Sequence, residues 1–211
     1  MGSQRLILVD GSGYIFRAFY ALPPMSREDG TPVNAVFGFT SMLLKLSEDM
    51  EGENILVVFD AARTTFRNAI YKEYKANRSE PPEELVPQFD LIKKATTAIG
   101  LKSLEVENYE ADDIIATYVK IAKKENIETL VISSDKDLMQ LIQDGVSLYD
   151  PMKNIKIGPE NNANQATKAS GLISLLSGLT TTWPSAHIAD PKIVRPIPIN
   201  FPSKLGDPVK T

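Results

Sequence analysis

Three short apolar runs, each closed by an aspartate, constrain this chain more than any other feature. They are RLILVD ending at Asp10, NILVVFD ending at Asp60, and TLVISSDKD, which passes through Asp135. Runs this short and this continuously apolar read as strands buried on both faces of a sheet. Between them the period changes. Val36, Phe39, Leu43 and Leu46 recur at helical spacing in NAVFGFTSMLLKLSEDM. Ile114, Ile115, Tyr118, Ile121 and Ala122 do the same after EADD, and KDLMQLIQD carries Leu138, Leu141 and Ile142. Buried strands alternating with amphipathic helices specify an α/β fold with a mostly parallel sheet flanked by helices. In such sheets, sites form outside the carboxyl ends of the strands. The three aspartates fall at those ends.

The acids are crowded beyond this. Glu110, Asp112 and Asp113 open a predicted helix, and Asp137 follows Asp135 by two residues. Two bare carboxylates ~4 Å apart repel by about 4 kcal/mol at an effective dielectric near 20. Taken singly, each has an ordinary role: a first-turn acid favoured by the helix dipole, an N-cap, or a turn residue. Seven converging on one edge exceed what helix dipoles hold. They point to hard divalent cations, Mg²⁺ or Mn²⁺, as oxygen-ligated partners. Two such ions about 3.5–4 Å apart suit in-line phosphoryl displacement. The rest of the composition narrows the metal chemistry further. The chain has no cysteine and a single histidine, so thiolate and histidine-rich sites are excluded. No apolar run approaches a membrane span and no signal-peptide core is present, so a cytoplasmic protein is expected.

Residues 63–78, RTTFRNAIYKEYKANR, carry Arg63, Arg67, Lys72, Lys75 and Arg78 against one acid, Glu73. On a helix Arg67, Tyr71, Tyr74, Lys75 and Arg78 fall near one side. Cations interleaved with rings suit a nucleic-acid strand, with charges tracking phosphates and rings offering stacking surfaces. A solvated face with tyrosines packed inward is the plainer alternative. Pro87 places the start of the next helix late or kinks it. DGSGYIFR, residues 10–17, reads as a glycine-rich turn beside Asp10; no Gly-Lys-Ser/Thr follows, so it is not a P-loop.

LILVDGSGYIFRAFYALPP, VVFDAARTTFRNAIYKEYKANR, YEADDIIATY and ISSDKDLMQLI, in that order, resemble the N-terminal 5′-nuclease domain of bacterial DNA polymerase I, a branch of the flap endonuclease family. The resemblance covers residues 6–160 and implies a PIN-like fold. It implies cleavage of DNA at 5′ ends, nicks and flaps by metal-activated water. By similarity Asp10, Asp60, Glu110 and Asp112, with Asp113 close by, hold a first metal, and Asp135 and Asp137 contribute to a second. Lys75 and Arg78 match residues that steer the scissile phosphate. Tyr74 matches a base-stacking position, and Arg17 and Arg67 are candidate phosphate contacts. A noncatalytic remnant that binds DNA without cutting is the alternative. A HAD-type phosphatase is disfavoured, because position 12 is serine where that chemistry wants a second aspartate.

After NIKIGPE the pattern stops. The family continues into a Gly-Asp-Ser-x-Asp-Asn-x-Pro-Gly segment bearing further second-site aspartates, then a helix–three-turn–helix that grips duplex DNA. Here the chain reads NNANQATKASGLISLL, and its nearest echo is LGDPVKT, with Asp207 alone. Residues 1–160 hold 18 Lys+Arg against 25 Asp+Glu; residues 161–211 hold 5 against 2, with six of the 14 prolines. The expectation is a nuclease core over 1–160 and an unrelated, poorly ordered tail over 161–211, produced by a frameshift or truncation. Impaired catalysis is expected from the missing aspartates, and a polymerase, if one acts alongside, would be a separate chain.

Overall fold

The structure is a computed structural model and describes residues 5–50, 54–61, 65–76 and 79–160. Arg63, Arg78 and the whole of 161–211, Asp207 included, lie outside the described residues.

The continuous apolar runs form the centre of one sheet. Leu6–Asp10 is β1, Asn54–Val58 is β2 and Thr129–Ile132 is β4. Lys102–Leu104 is β3, Val146–Asp150 β5 and Ile155–Ile157 β6, giving the order β3-β2-β1-β4-β5-β6. All neighbours are parallel except the last pair, where β6 turns back antiparallel to β5. Every residue of β1 and β4 is buried, as strands covered on both faces require. The chain passes from β1 to β2 on one side and returns to β4 on the other. The strand order therefore reverses at β1, and a crevice opens at its carboxyl end.

Among the described residues there are five helices: α1 (Gly11–Ala21), α2 (Asn34–Asp49), α3 (Phe66–Ile70), α4 (Gln88–Ala98) and α5 (Ala111–Lys124). A 3₁₀ turn spans Asp137–Leu141. On one face Tyr14, Phe39, Leu43 and Ile92 pack against Ile7, Val9 and Val57. Gln88, wholly buried, pins α4 to α2. Its Oε1 accepts from the Ala35 and Val36 N–H groups, and its Nε2 donates to Asn34 Oδ1 and the Glu84 carbonyl. Two orphan donors at the start of α2 are satisfied by a residue from another helix.

Two local expectations are corrected. DGSGYIFR is not a turn: Asp10 caps α1 directly, accepting from the Gly13 N–H at 3.3 Å. Gly11 serves proximity, since a Cβ there would stand 2.6 Å from the Phe59 ring and 2.8 Å from the Val58 carbonyl. The basic stretch is not one helix. α3 ends at Ile70, Tyr74 lies in the turn that follows, and Lys75 there adopts a left-handed backbone (φ +55°). Pro87 stands immediately before α4, so that helix begins after it. No helix among the described residues is long and apolar enough to cross a membrane.

Candidate active site

The carboxyl edge of the sheet gathers the predicted acids. Asp10 is the last residue of β1, Asp60 lies two residues beyond β2, and Asp135 three beyond β4. Glu110 caps α5, with Asp112 and Asp113 in its first turn, and Asp137 begins the 3₁₀ turn.

Each acid is held differently. Asp10 is buried; its Oδ2 accepts from Ser133 Oγ at 2.7 Å. Burial raises its pKa, an effect eased by the Ser133 and Gly13 hydrogen bonds and reinforced by Asp60 and Asp135. Asp60 is exposed and fixed from two sides, by Ser12 Oγ at 2.6 Å and the Ala111 N–H at 2.8 Å. The second bond ties the end of β2 to the start of α5. Asp113 is buried in a forked pair with Arg67, both bonds 2.6 Å, and closes a capping box through the Glu110 N–H at 3.2 Å. Glu110 receives Lys75 Nζ at 2.8 Å on Oε1 and Tyr74 Oη at 3.2 Å on Oε2. Asp112 accepts no hydrogen bond from a described residue. Partial burial, then Asp10, Asp135, Asp60 and Glu110 in turn, push its pKa up to about 7.

Arg67, Tyr74 and Lys75 thus meet at the acids. Arg67 stacks over the Phe66 ring at 4.7 Å and lies 5.8 Å from that of Tyr74. Asn68 braces the turn by donating to the Tyr74 carbonyl at 3.0 Å. Arg17 is set apart from these: it lines a cleft of about 530 Å³ with Asp10, Tyr14, Ser133 and Met152. A second cleft of about 550 Å³ runs past Ser12, Asp60, Lys75 and Glu110 along the apolar Phe16 and Phe59. A third cleft, about 620 Å³, lies at β3 between Lys94 and Glu105; it shares Phe59 and Lys93 with the second and is lined by none of these acids.

Among the described residues no three acids stand close enough together to enclose a metal ion. The donor set nevertheless suits a hard divalent cation. It is all carboxylate oxygen, and Asp112 is a half-buried carboxyl with four acidic neighbours and no donor on it. Asp113, forked to Arg67, has both oxygens engaged by protein donors. Ser12 and Ser133, which orient Asp60 and Asp10, were not foreseen; a serine beside a strand end carries no distinctive sequence signal.

A family model described as 5′-3′ exonuclease, N-terminal resolvase-like domain, matches residues 5–168. DNA polymerase I of Rhizobium leguminosarum is 52% identical over 163 residues, covering 74% of this chain and 16% of that protein. DNA polymerase I of Bacillus subtilis is 44% identical over 152 residues, 72% of this chain and 17% of the relative. The chain therefore spans about a sixth of the length of these curated relatives. Among solved structures, phage T5 5′-exonuclease with divalent zinc bound superposes with a TM-score of 0.57 at 23% identity, covering 74% of this chain and 58% of that one. At that identity the likeness is one of fold, a PIN-like mostly parallel sheet flanked by helices.

Proposed function

This chain belongs to the family of 5′-3′ exonuclease N-terminal, resolvase-like domains, and we propose that it hydrolyses DNA phosphodiesters at 5′ ends, nicks and flaps. The observation that carries the reading is the convergence of Asp10, Asp60, Glu110 and Asp112 on one sheet edge, with Lys75 and Tyr74 already in contact with Glu110. Asp10, Asp60, Glu110 and Asp112 would hold a first Mg²⁺ or Mn²⁺, with Asp113 supporting from behind, and Asp135 and Asp137 a second. Such ions, when bound, neutralise the acids and polarise a phosphodiester and its attacking water.

The remaining work falls to the chain's own residues. Ser12 and the Ala111 N–H set the direction of the Asp60 carboxylate, and the Gly13 N–H and Ser133 set that of Asp10. Arg67 neutralises Asp113 and thereby lowers the repulsion that Glu110 and Asp112 meet. Lys75, paired with Glu110, is one side-chain swing from the edge and can exchange that carboxylate for a phosphate oxygen. Arg78, outside the described residues, would by similarity add a second cation for a phosphate. Tyr74 offers its ring to a terminal base, and Arg17 lies along the adjoining cleft for a flanking phosphate. The place of action is the cytoplasm.

The first cation would have four candidate ligands and the second only Asp135 and Asp137, both exposed. We therefore expect the second cation to be held more weakly and the rate to climb steeply with metal concentration. The test is cleavage of a labelled 5′-flap duplex by the full chain in Mg²⁺ or Mn²⁺, beside Asp60→Ala. Cleavage that needs metal and falls at least 100-fold in the variant is the expected result. A folded chain that binds the flap but never cuts it, at any metal concentration, overturns hydrolysis and leaves a DNA-holding remnant.

A further inference from the structure

Ser133 is 2% exposed and follows the last residue of β4. Its backbone N–H donates to the Tyr149 carbonyl at 3.1 Å, which extends the β4–β5 ladder by one residue and fixes where the side chain leaves it. A serine hydroxyl has one hydrogen and two lone pairs. The Asp135 N–H donates into Oγ at 3.0 Å, so the hydroxyl hydrogen goes to Asp10 Oδ2 at 2.7 Å. The sense of the first bond follows because an N–H cannot accept, and that of the second because an ionised Asp10 carboxylate has no hydrogen to give. From Asp135 the run continues: its Oδ1 accepts from the Asp137 N–H at 2.8 Å. Ser134, the next residue, turns the other way and donates to Asp150 at 2.8 Å. A chain of three hydrogen bonds through Ser133 thus joins the acid closing β1 to the two acids of the β4 loop.

We propose that Ser133 is a positioning residue, whose hydroxyl sets the spacing between Asp10 and the Asp135–Asp137 loop and so couples the two cation-holding halves of the edge. The inference rests on the reading of these acids as cation ligands. Asp135 and Asp137 are exposed and Asp10 is buried, so the two halves differ in how firmly the fold holds them. Removing the hydroxyl leaves Asp10 Oδ2 without its donor and the Asp135 N–H without its acceptor. The two acids repel, and the exposed loop is the partner free to yield. The tighter ion, which Asp10, Asp60, Glu110 and Asp112 would hold, is then affected less than the weaker one.

The test titrates the full chain with Mn²⁺ alone, following free Mn²⁺ by electron paramagnetic resonance, for the wild type, Ser133→Ala and Ser133→Thr. Urea unfolding in chelator runs alongside. The expected result is a tighter and a weaker ion on the wild type. Ser133→Ala should weaken the weaker ion about tenfold or more, the usual cost of losing a group that orients a ligand. Its tighter ion should change much less, and Ser133→Thr should restore the weaker one. If Ser133→Ala does not fold, Ser133→Cys, similar in volume and a poor donor, replaces it. Unchanged Mn²⁺ binding, or an equal loss at both ions, overturns the proposal. A folded wild type that binds no Mn²⁺ overturns the reading of the acids as well, which separates the two failures.

Discussion

Asp112 sits among four other carboxyls with no hydrogen-bond donor on it from a described residue, and its pKa of about 7 has a consequence for stability. Between the ordinary value of 3.8 and about 7 the folded chain holds a proton there that the unfolded chain has released. Stability in chelator should therefore fall as pH rises through that window. Added Mg²⁺ or Mn²⁺ should raise the Tm, and more at pH 8 than at pH 5; an equal rise at both would count against Asp112 as a ligand. Arg67 yields a different expectation. Its fork on buried Asp113 makes it part of the fold as well as a candidate phosphate contact. Arg67→Ala should cost about 3 kcal/mol in urea unfolding, because it strands a buried charge. A variant that binds DNA poorly at unchanged stability would show that the pair matters only to phosphate. The acids themselves were legible in sequence as strand-end and helix-start residues. The Arg67–Asp113 pair was not, since its members lie 46 positions apart and no local spacing announces the contact.

The elements were legible in proportion to their length and burial. β1, β2 and β4 are unbroken apolar runs, and α2 and α5 are long amphipathic helices, so periodicity alone places them. β3 and β6 have three residues each, too few for any period to register. β5 has the alternating burial of a half-covered strand, a signal that VSLYD carries over only five residues. α1 was hidden by its glycines, which argue locally for a turn while the packing of Gly11 on Phe59 and Val58 argues for close contact. Gly11→Ala should accordingly destabilise by about 1–3 kcal/mol, because a carbonyl oxygen cannot step aside as a side-chain tip can. Equilibrium unfolding measures it, and a change within about 0.5 kcal/mol, the range of an ordinary surface substitution, would show that the approach relaxes freely. The basic stretch failed as a helix for the opposite reason. Asn68 binds the Tyr74 carbonyl and bends the chain back, bringing Lys75 to Glu110.

At the scale of the molecule, the sheet should open from its edges. Amides of β1 and β4, paired on both sides, should exchange with solvent only on global unfolding, while those of β3 and β6 should exchange sooner. Hydrogen exchange followed residue by residue checks this, and equal protection across all six strands would contradict it. The same order has a further effect, on the history of the chain. β1 pairs with β2 and with β4, and β4 is made roughly 120 residues after β1, about 6–25 s later at ordinary translation rates. The strand that carries Asp10 is thus the earliest of the six to leave the ribosome, and it waits through most of the core's synthesis with the backbone N–H and C=O groups of its β4 edge unpaired. Slower translation over that interval lengthens the time in which a neighbouring nascent chain can take the place meant for β4.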